Sequence, residues 1–248
     1  MTPDKTQVAS QELNEYPIID VSDLKKSYTS GMVKTEVLKG IGVKLNAEDI
    51  GVILGPSGSG KTTLVNIIGG IDRADSGEVT VNGINVSAMD DTRLTDYRRE
   101  HIGFVFQFYN LVPNLTVGEN IEVVSNLSEA ALNIREVLTA VEMQDKKDRF
   151  PRELSGGEQQ RVSIARAVVK NPKVLLCDEP TGALDYETSL HILRLLQLVN
   201  KQYGTTILMV THNTAIASLA NRVFKLRSGE IVEEIINQTI VPAERIEW

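Results

Sequence analysis

Gly55-Pro56-Ser57-Gly58-Ser59-Gly60-Lys61-Thr62 is the stretch that decides the fold of this chain. It matches G-x-x-x-x-G-K-[ST], in which glycines let backbone N–H groups close around phosphate oxygens without interference from a Cβ. The loop follows the apolar run Gly51-Val52-Ile53-Leu54 and precedes Thr63-Leu64-Val65-Asn66-Ile67-Ile68. That order predicts a strand, a phosphate-binding loop (P-loop) and a helix whose N-terminus favours negative charge. Lys61 brings a mobile cation to the outer phosphates, and Thr62 offers a hydroxyl to Mg2+.

Outward from the loop, elements alternate. Val174-Leu175-Leu176-Cys177-Asp178 is continuously apolar and closes on an acid, the pattern of a parallel strand covered on both faces. A helix is predicted over 186–203, followed by a second such strand, Thr206-Ile207-Leu208-Met209-Val210. Ile102-Gly103-Phe104-Val105-Phe106 reads as a short buried strand, and the Ser155-Gly156-Gly157 turn opens a helix carrying Val162, Ala165, Val168 and Val169. Ligands of open α/β sheets gather beyond the carboxyl ends of the strands, where the glycine loop also lies. Asp178 at such an end can hold Mg2+ through a water or the Thr62 hydroxyl, and Glu179 can orient and deprotonate an attacking water.

Toward the N-terminus the reading changes. Residues 1–16 are polar and aperiodic, a flexible leader. Ile18-Ile19-Asp20-Val21 and Val37-Leu38-Lys39-Gly40-Ile41-Gly42-Val43 read as strands split by a turn at 28–31. Gly77-Glu78-Val79-Thr80-Val81-Asn82-Gly83 alternates like a half-exposed strand ending in an Asn-Gly turn. From 117 to 150 the pattern is helical, with Leu132, Val137, Leu138 and Val141 sharing a face. The fold class is therefore α/β. A parallel P-loop NTPase core is joined by an N-terminal antiparallel β subdomain and a helical insertion at about 108–165, in one functional domain over 17–248.

The bulk composition agrees. Forty-two per cent hydrophobic and 24% charged residues in 248 positions describe an ordinary globule. A net charge of −7 argues against nucleic acid as partner. The lone Cys177 permits no intrachain disulfide and suits a reducing compartment. No apolar stretch reaches the ~20 residues of a bilayer span, so contact with a membrane is expected to run through another polypeptide.

Together with these motifs, Leu154-Ser155-Gly156-Gly157-Glu158-Gln159-Gln160-Arg161 makes the chain resemble an ATP-binding-cassette (ABC) nucleotide-binding domain over roughly residues 17–236. The resemblance implies ATP and Mg2+ as ligands, with ATP hydrolysis as the activity. Nucleotide contact then falls to Tyr28, which resembles the adenine-stacking aromatic, and to Gly55, Pro56, Ser57, Gly58, Ser59, Gly60, Lys61, Thr62 and Thr63. Gln107 matches the Q-loop glutamine that touches Mg2+ or water, Asp178 and Glu179 the Walker B pair, residues 182–185 the D-loop, and His212 the switch histidine at the γ-phosphate. Ser155, Gly156, Gly157 and Glu158 match the signature that caps the ATP held by a second copy, which implies a homodimer. Physically that segment is a second anion site, because it opens a helix with free N–H groups.

The segment from Phe106 through Asn120, with Ser27-Tyr28-Thr29-Ser30-Gly31, is similar to ATPases of the macrolide-export and lipoprotein-release group. That similarity implies integral membrane permease subunits as partners and a place on the cytoplasmic face of the membrane. Antimicrobial-peptide resistance systems belong nearby. The apolar residues Phe108, Tyr109, Leu111, Val112 and Leu115 would seat a permease helix or form subdomain core. The alternative is a soluble ABC ATPase acting on nucleic acid or ribosomes, to which a second cassette or a basic surface would point. Three positions depart from the family pattern: Glu48-Asp49 ahead of the loop strand, Gly51 within it, and Asn213 after the histidine. The first two bear on local strand packing, and the third predicts a weaker hold on the loop after His212.

Overall fold

The computed structural model describes residues 17–246, so the leader expected at 1–16 lies outside the described residues. In chain order the elements are β1 (Ile19–Ser30), β2 (Val33–Leu45), β3 (Ile50–Leu54), α1 (Lys61–Ile68), β4 (Ser76–Val81) and β5 (Ile84–Asn85). Next come α2 (Asp91–Glu100), β6 (Ile102–Val105), α3 (Val117–Ser125), α4 (Ile134–Ala140), α5 (Gly156–Val168) and β7 (Val174–Asp178). The chain then runs through α6 (Tyr186–Tyr203), β8 (Thr206–Thr211), β9 (Arg222–Arg227) and β10 (Glu230–Ile236). Two sheets result: an antiparallel one in the order β2-β1-β4-β5, and a larger one in the order β10-β9-β3-β8-β7-β6. Within the larger sheet β9, β3, β8, β7 and β6 are parallel, and only β10 pairs antiparallel.

The continuous apolar runs of the core strands follow from burial on both faces. Val52, Leu175, Cys177, Ile207 and Met209 point into a core shared with α3, α4, α5 and α6. Their neighbours Ile53, Leu176, Leu208 and Val210 point the other way, into a core shared with α1, α2 and the antiparallel sheet. Gly51 is where the two sheets press together: a Cβ there would stand 2.9 Å from Leu45 Cδ2 and 3.1 Å from Leu208 Cδ1. The departure noted in the sequence is thus a packing requirement.

Two local expectations need correction. The turn expected at 28–31 falls instead at Gly31 and Met32, because β1 and β2 stay paired as far as Tyr28↔Thr35 and Ser30↔Val33. Backbone pairing needs no apolar alternation where both faces meet water, so the hydrophobic pattern stopped before the strands did. The helical stretch at 117–150 is also broken: α3 ends at Ser125, and α4 starts only after Asn133, whose side chain accepts from the Arg135 and Glu136 N–H groups. Leu132 therefore precedes the helix and Val141 caps it, although Val137, Leu138 and Val141 are all buried. The Asn82-Gly83 turn forms as read, with φ of 51° and 74° and Val81 paired to Ile84.

β1, an inner strand of its sheet, carries a bulge at Asp23, where φ is 46° and the register to β2 shifts. The bulge leaves no room on either side. A Cβ at Gly40 of β2 would lie 2.9 Å from Asp23 Oδ1, and one at Gly77 of β4 would lie 2.4 Å from Asp23 O. Gly77 also has φ +93°, a conformation that L side chains rarely adopt. Gly77→Ala is expected to destabilise the protein by about 1–3 kcal/mol, combining backbone strain with a clash. A urea melt shows the loss as a lower midpoint with an unchanged slope.

Candidate functional site

The glycine loop emerges from β3 with the Gly55 N–H donating to Thr211 O at the end of β8 (3.3 Å). It is wedged between two pieces of backbone. A Cβ at Gly55 would lie 2.3 Å from Leu226 O in β9, and one at Gly60 would lie 3.0 Å from Val37 O in β2. Gly229, in the β9–β10 turn, donates to Ser59 O (3.2 Å) and accepts from the Lys39 N–H (2.9 Å), tying loop and antiparallel sheet together. A Cβ at Gly58, by contrast, would meet open space, so the rim of the loop faces outward. Gly60 caps α1 without a side-chain hydrogen bond, and no acid stands in the first turn. The N–H groups of that turn are therefore free for an anion.

Lys61 is only 7% exposed, and Nζ donates to Gly55 O (2.8 Å) and Pro56 O (3.1 Å). It stands 3.6 Å from Glu179 Oε1, the one carboxylate within ion-pair reach among the described residues. Thr62 Oγ1 donates to Asp178 Oδ1 (3.1 Å). Glu179 sits at φ +48°, a left-handed conformation unusual for its side chain. Its own N–H still extends the β7–β8 ladder to Val210 O (3.0 Å), and its carboxylate meets His212 Nδ1 at 3.1 Å. Burial raises the Asp178 carboxyl above the usual range, the Thr62 hydrogen bond opposes that shift, and the Glu179 charge adds to it.

Gln107 follows β6 and lies across the same strand ends. A Cβ at Gly182 would lie 3.0 Å from Gln107 Nε2 and 3.4 Å from Glu179 Cβ, so the absence of a side chain at 182 admits the glutamine. Sequence reading passed over the residues that shape this loop. Asn120 is buried on α3 and donates from Nδ2 to Val112 O, Leu115 O and Thr116 O while accepting from the Val112 N–H. Arg166 on α5 donates to Asn110 O and Tyr109 O. Between those anchors Phe108 is 74% exposed and Val112 is also exposed, while Leu111 packs on the core. Leu111 thus belongs to the subdomain core, whereas Phe108 and Val112 face outward. Asn213 accepts from the Ala215 N–H (3.0 Å) and caps the 3-10 turn after His212, so the hold expected to be weak is made by an asparagine.

Tyr28 stands at the sheet edge, 44% exposed. Its hydroxyl donates to Asp72 Oδ2 (2.5 Å) with the Thr63 hydroxyl beside it, and Lys26 Nζ lies 4.9 Å from the ring centroid. Lys26 also binds Asp72 at 2.8 Å, so three side chains fix the ring. Lys26 and Asp72 gave no local signal, since sheet pairing and the end of α1 bring them together.

The second motif stays apart from the first. Ser155 caps α5, its Oγ accepting from the Glu158 N–H (3.3 Å) while Glu158 Oε2 accepts from the Ser155 N–H (2.8 Å). Lys146 pairs with the same carboxylate. Gly156 is set against Tyr109, and Gly157 against Thr188 of α6, where a Cβ would lie 2.3 Å from Thr188 Cγ2. The chain therefore presents a cradle of 55–63 with Asp178, Glu179, His212 and Gln107, and separately a capped helix mouth at 155–158.

The cradle fits a polyphosphate with a hard divalent cation. Ser59 Oγ is buried without a hydrogen-bond partner, and Lys61 is sealed among carbonyls with one carboxylate at 3.6 Å. Thr62 and Asp178 offer adjacent oxygen donors. No cluster of three or more His, Cys, Asp or Glu side chains suited to a metal occurs among the described residues. The Thr62–Asp178 pair suits Mg2+, which takes one or two protein oxygens and completes its shell with phosphate and water. Among the described residues no helix is long and apolar enough to cross a membrane.

Comparison with known proteins agrees with this geometry. The family described as ABC transporter matches residues 38–182. An ABC transporter ATP-binding protein of Mycoplasma pneumoniae is 48% identical over 95% of this chain and 51% of its own length. The macrolide export ATP-binding/permease protein MacB of Shigella flexneri is 42% identical over 87% of this chain and 34% of its own. The chain thus spans about half or less of these curated relatives. Among solved structures, a dimeric ATP-binding cassette, MJ0796, in a post-hydrolysis state bound to ADP and Pi, superposes with a TM-score of 0.80. It is 37% identical and covers 88% of this chain and 98% of its own.

The electrostatics of Asp178 carry a prediction for the protein without ligand. Its carboxyl keeps its proton to higher pH in the native state than in the unfolded chain. Ionisation therefore opposes folding, and stability falls as pH rises above the ordinary carboxylate range. Asp178→Asn is expected to melt at a higher temperature than the unsubstituted protein at pH 8. The difference should narrow on acidification, as differential scanning calorimetry at several pH values would show.

Proposed function

Because the chain belongs to the ABC transporter family, we propose that it binds ATP with Mg2+, pairs with a second copy and hydrolyses the nucleotide to drive a separate membrane permease. The observation that carries this reading is that the chain presents a glycine-loop cradle and, besides it, a capped helix mouth. The cradle of 55–63 brings backbone N–H groups, Lys61 and Glu179 together, whereas the helix mouth, with its Ser155 and Glu158 N–H groups already paired, leaves those of Gly156 and Gly157 for an anion. A head-to-tail pair of copies would close each cradle with the other's Ser155, Gly156 and Gly157. The dimeric relative MJ0796, bound to ADP and Pi, supports that arrangement.

In the proposed site Tyr28 stacks on the adenine, and the N–H groups of 57–63 with Lys61 hold the phosphates. Thr62 and Asp178 would hold Mg2+ with Gln107 near it, and the ion when bound would neutralise charge on the phosphate oxygens. Glu179 accepts a proton from a water as its oxygen bonds to the terminal phosphorus, and the bond to the bridging oxygen breaks to release ADP. His212, at 3.1 Å, fixes that carboxylate. Lys61 faces Glu179 across 3.6 Å in the free protein and turns to the phosphates when they arrive. The permease side of the proposal rests on Phe108 and Val112, apolar and exposed on a loop that Asn120 and Arg166 hold rigid. Such a loop suits a coupling helix of an export-type permease, and with that partner the chain would lie at the cytoplasmic face of a membrane.

Two variants test the reading. Glu179→Gln is expected to bind ATP normally while turnover falls by roughly 100-fold or more. It should accumulate nucleotide-dependent dimers in size-exclusion chromatography, and unaltered turnover would remove Glu179 from its assigned role. Ser155→Arg is expected to titrate with ATP like the unsubstituted chain yet stay monomeric even with Glu179→Gln. Nucleotide-dependent dimers from that double variant would contradict the shared site.

A further inference from the structure

Gln160 is fully buried on α5, the helix that Ser155 caps. Its Nε2 donates to Pro180 O at 2.8 Å and reaches Phe106 O at 3.4 Å. Its Oε1 is sealed from solvent with no hydrogen-bond partner. An amide is a poor filler for such a place: methionine would occupy a similar volume without stranding an acceptor. The donors are what the position uses, and both carbonyls they reach adjoin the chemistry. Phe106 immediately precedes Gln107, and Pro180 immediately follows Glu179.

Glu179 is also the residue whose backbone is strained, at φ +48°. Left-handed geometry at a glutamate persists only where the surroundings over-determine it. Three hydrogen bonds do so here. The Glu179 N–H donates to Val210 O, the Gly182 N–H donates to Glu179 O, and Gln160 holds the next carbonyl along. The first two come from the sheet and from the turn itself. The third comes from the helix whose other end is the proposed phosphate cap.

We propose that Gln160 is a positioning residue that holds Glu179 and Gln107 in register with the Ser155-capped helix, so that hydrolysis in one copy responds to the position of its own cap. The proposal rests on the ATPase reading above. When the cap engages the partner's nucleotide, α5 carries Gln160 with it, and the two carbonyls carry the base and the glutamine of the cradle. Each copy's capping state thus reaches its own active site through one buried amide.

Gln160→Met, which lacks donors, and Gln160→Glu, which can keep at most one, test the link. Each is expected to lower kcat by roughly 10–100-fold, the scale of a catalytic group displaced by about an ångström. KM and directly titrated ATP affinity should stay at the unsubstituted values. The NMR signals of the His212 ring should shift in both variants, because Glu179 moves relative to Nδ1. Unchanged kcat with unmoved His212 signals would overturn the proposal. So would a parallel loss of kcat, ATP affinity and melting temperature, which marks a merely structural role. If Gln160→Met does not fold, Gln160→Glu decides alone. Absence of turnover in the unsubstituted protein would instead remove the ATPase reading, and the His212 signals would then decide whether Gln160 holds Glu179.

Discussion

The structure depends on backbone meeting backbone around the glycine loop. Leu226 O comes so close to Gly55, and Val37 O to Gly229, that no Cβ fits at either, and a Cβ at Gly60 would crowd Val37 O at 3.0 Å. Loop, antiparallel sheet and core sheet therefore share one contact zone, joined by the Gly229 bonds to Ser59 and Lys39. A loop meant to wrap an anion with N–H groups must keep an open conformation while its own hydrogen-bonding groups are only partly satisfied. Clamping it from both sides supplies the rigidity that the loop's short-range bonds lack.

Charge placement follows from the same clamp. Lys61 is pulled back into the loop by two carbonyls and held toward Glu179, which keeps a buried ammonium solvated by protein dipoles. Asp178 is less well served: burial and its acidic neighbour both disfavour its charge, and only Thr62 and Lys61 offset them. A divalent cation beside Asp178 would offset both effects. The strain at Glu179 belongs to the same design, since a left-handed residue turns its carboxylate back over Lys61 and His212.

The loop after β6 joins the cradle to the rest of the molecule. Asn120 and Arg166 hold its carbonyls from two helices, Tyr109 rests on Gly156, and Gln107 lies over Gly182. A displacement of exposed Phe108 therefore has a short rigid route both to the helix mouth and to the strand ends. Interiors packed this tightly transmit movement, because side chains have no voids into which to relax.

By itself the sequence determined the elements whose chemistry is local. The strand–loop–helix at 50–68, the doubly covered strand at 174–178, the helix at 186–203 and the Asn82-Gly83 turn are all written in periodicity or turn chemistry. The spacing of motifs marked the cradle residues and the Ser155 cap. Tertiary structure alone decided what depends on distant backbone. The reach of β1 to Ser30 was set by cross-strand pairing, the break before α4 by Ser128 and Leu132 donating to the Lys170 and Val169 carbonyls, and the Asp23 bulge by glycines in two other strands. Gln160, Asn120, Lys26 and Asp72 were silent for the same reason. Their roles lie in hydrogen bonds to atoms far along the chain, and residue identity records that a donor exists but not which carbonyl the fold brings to it.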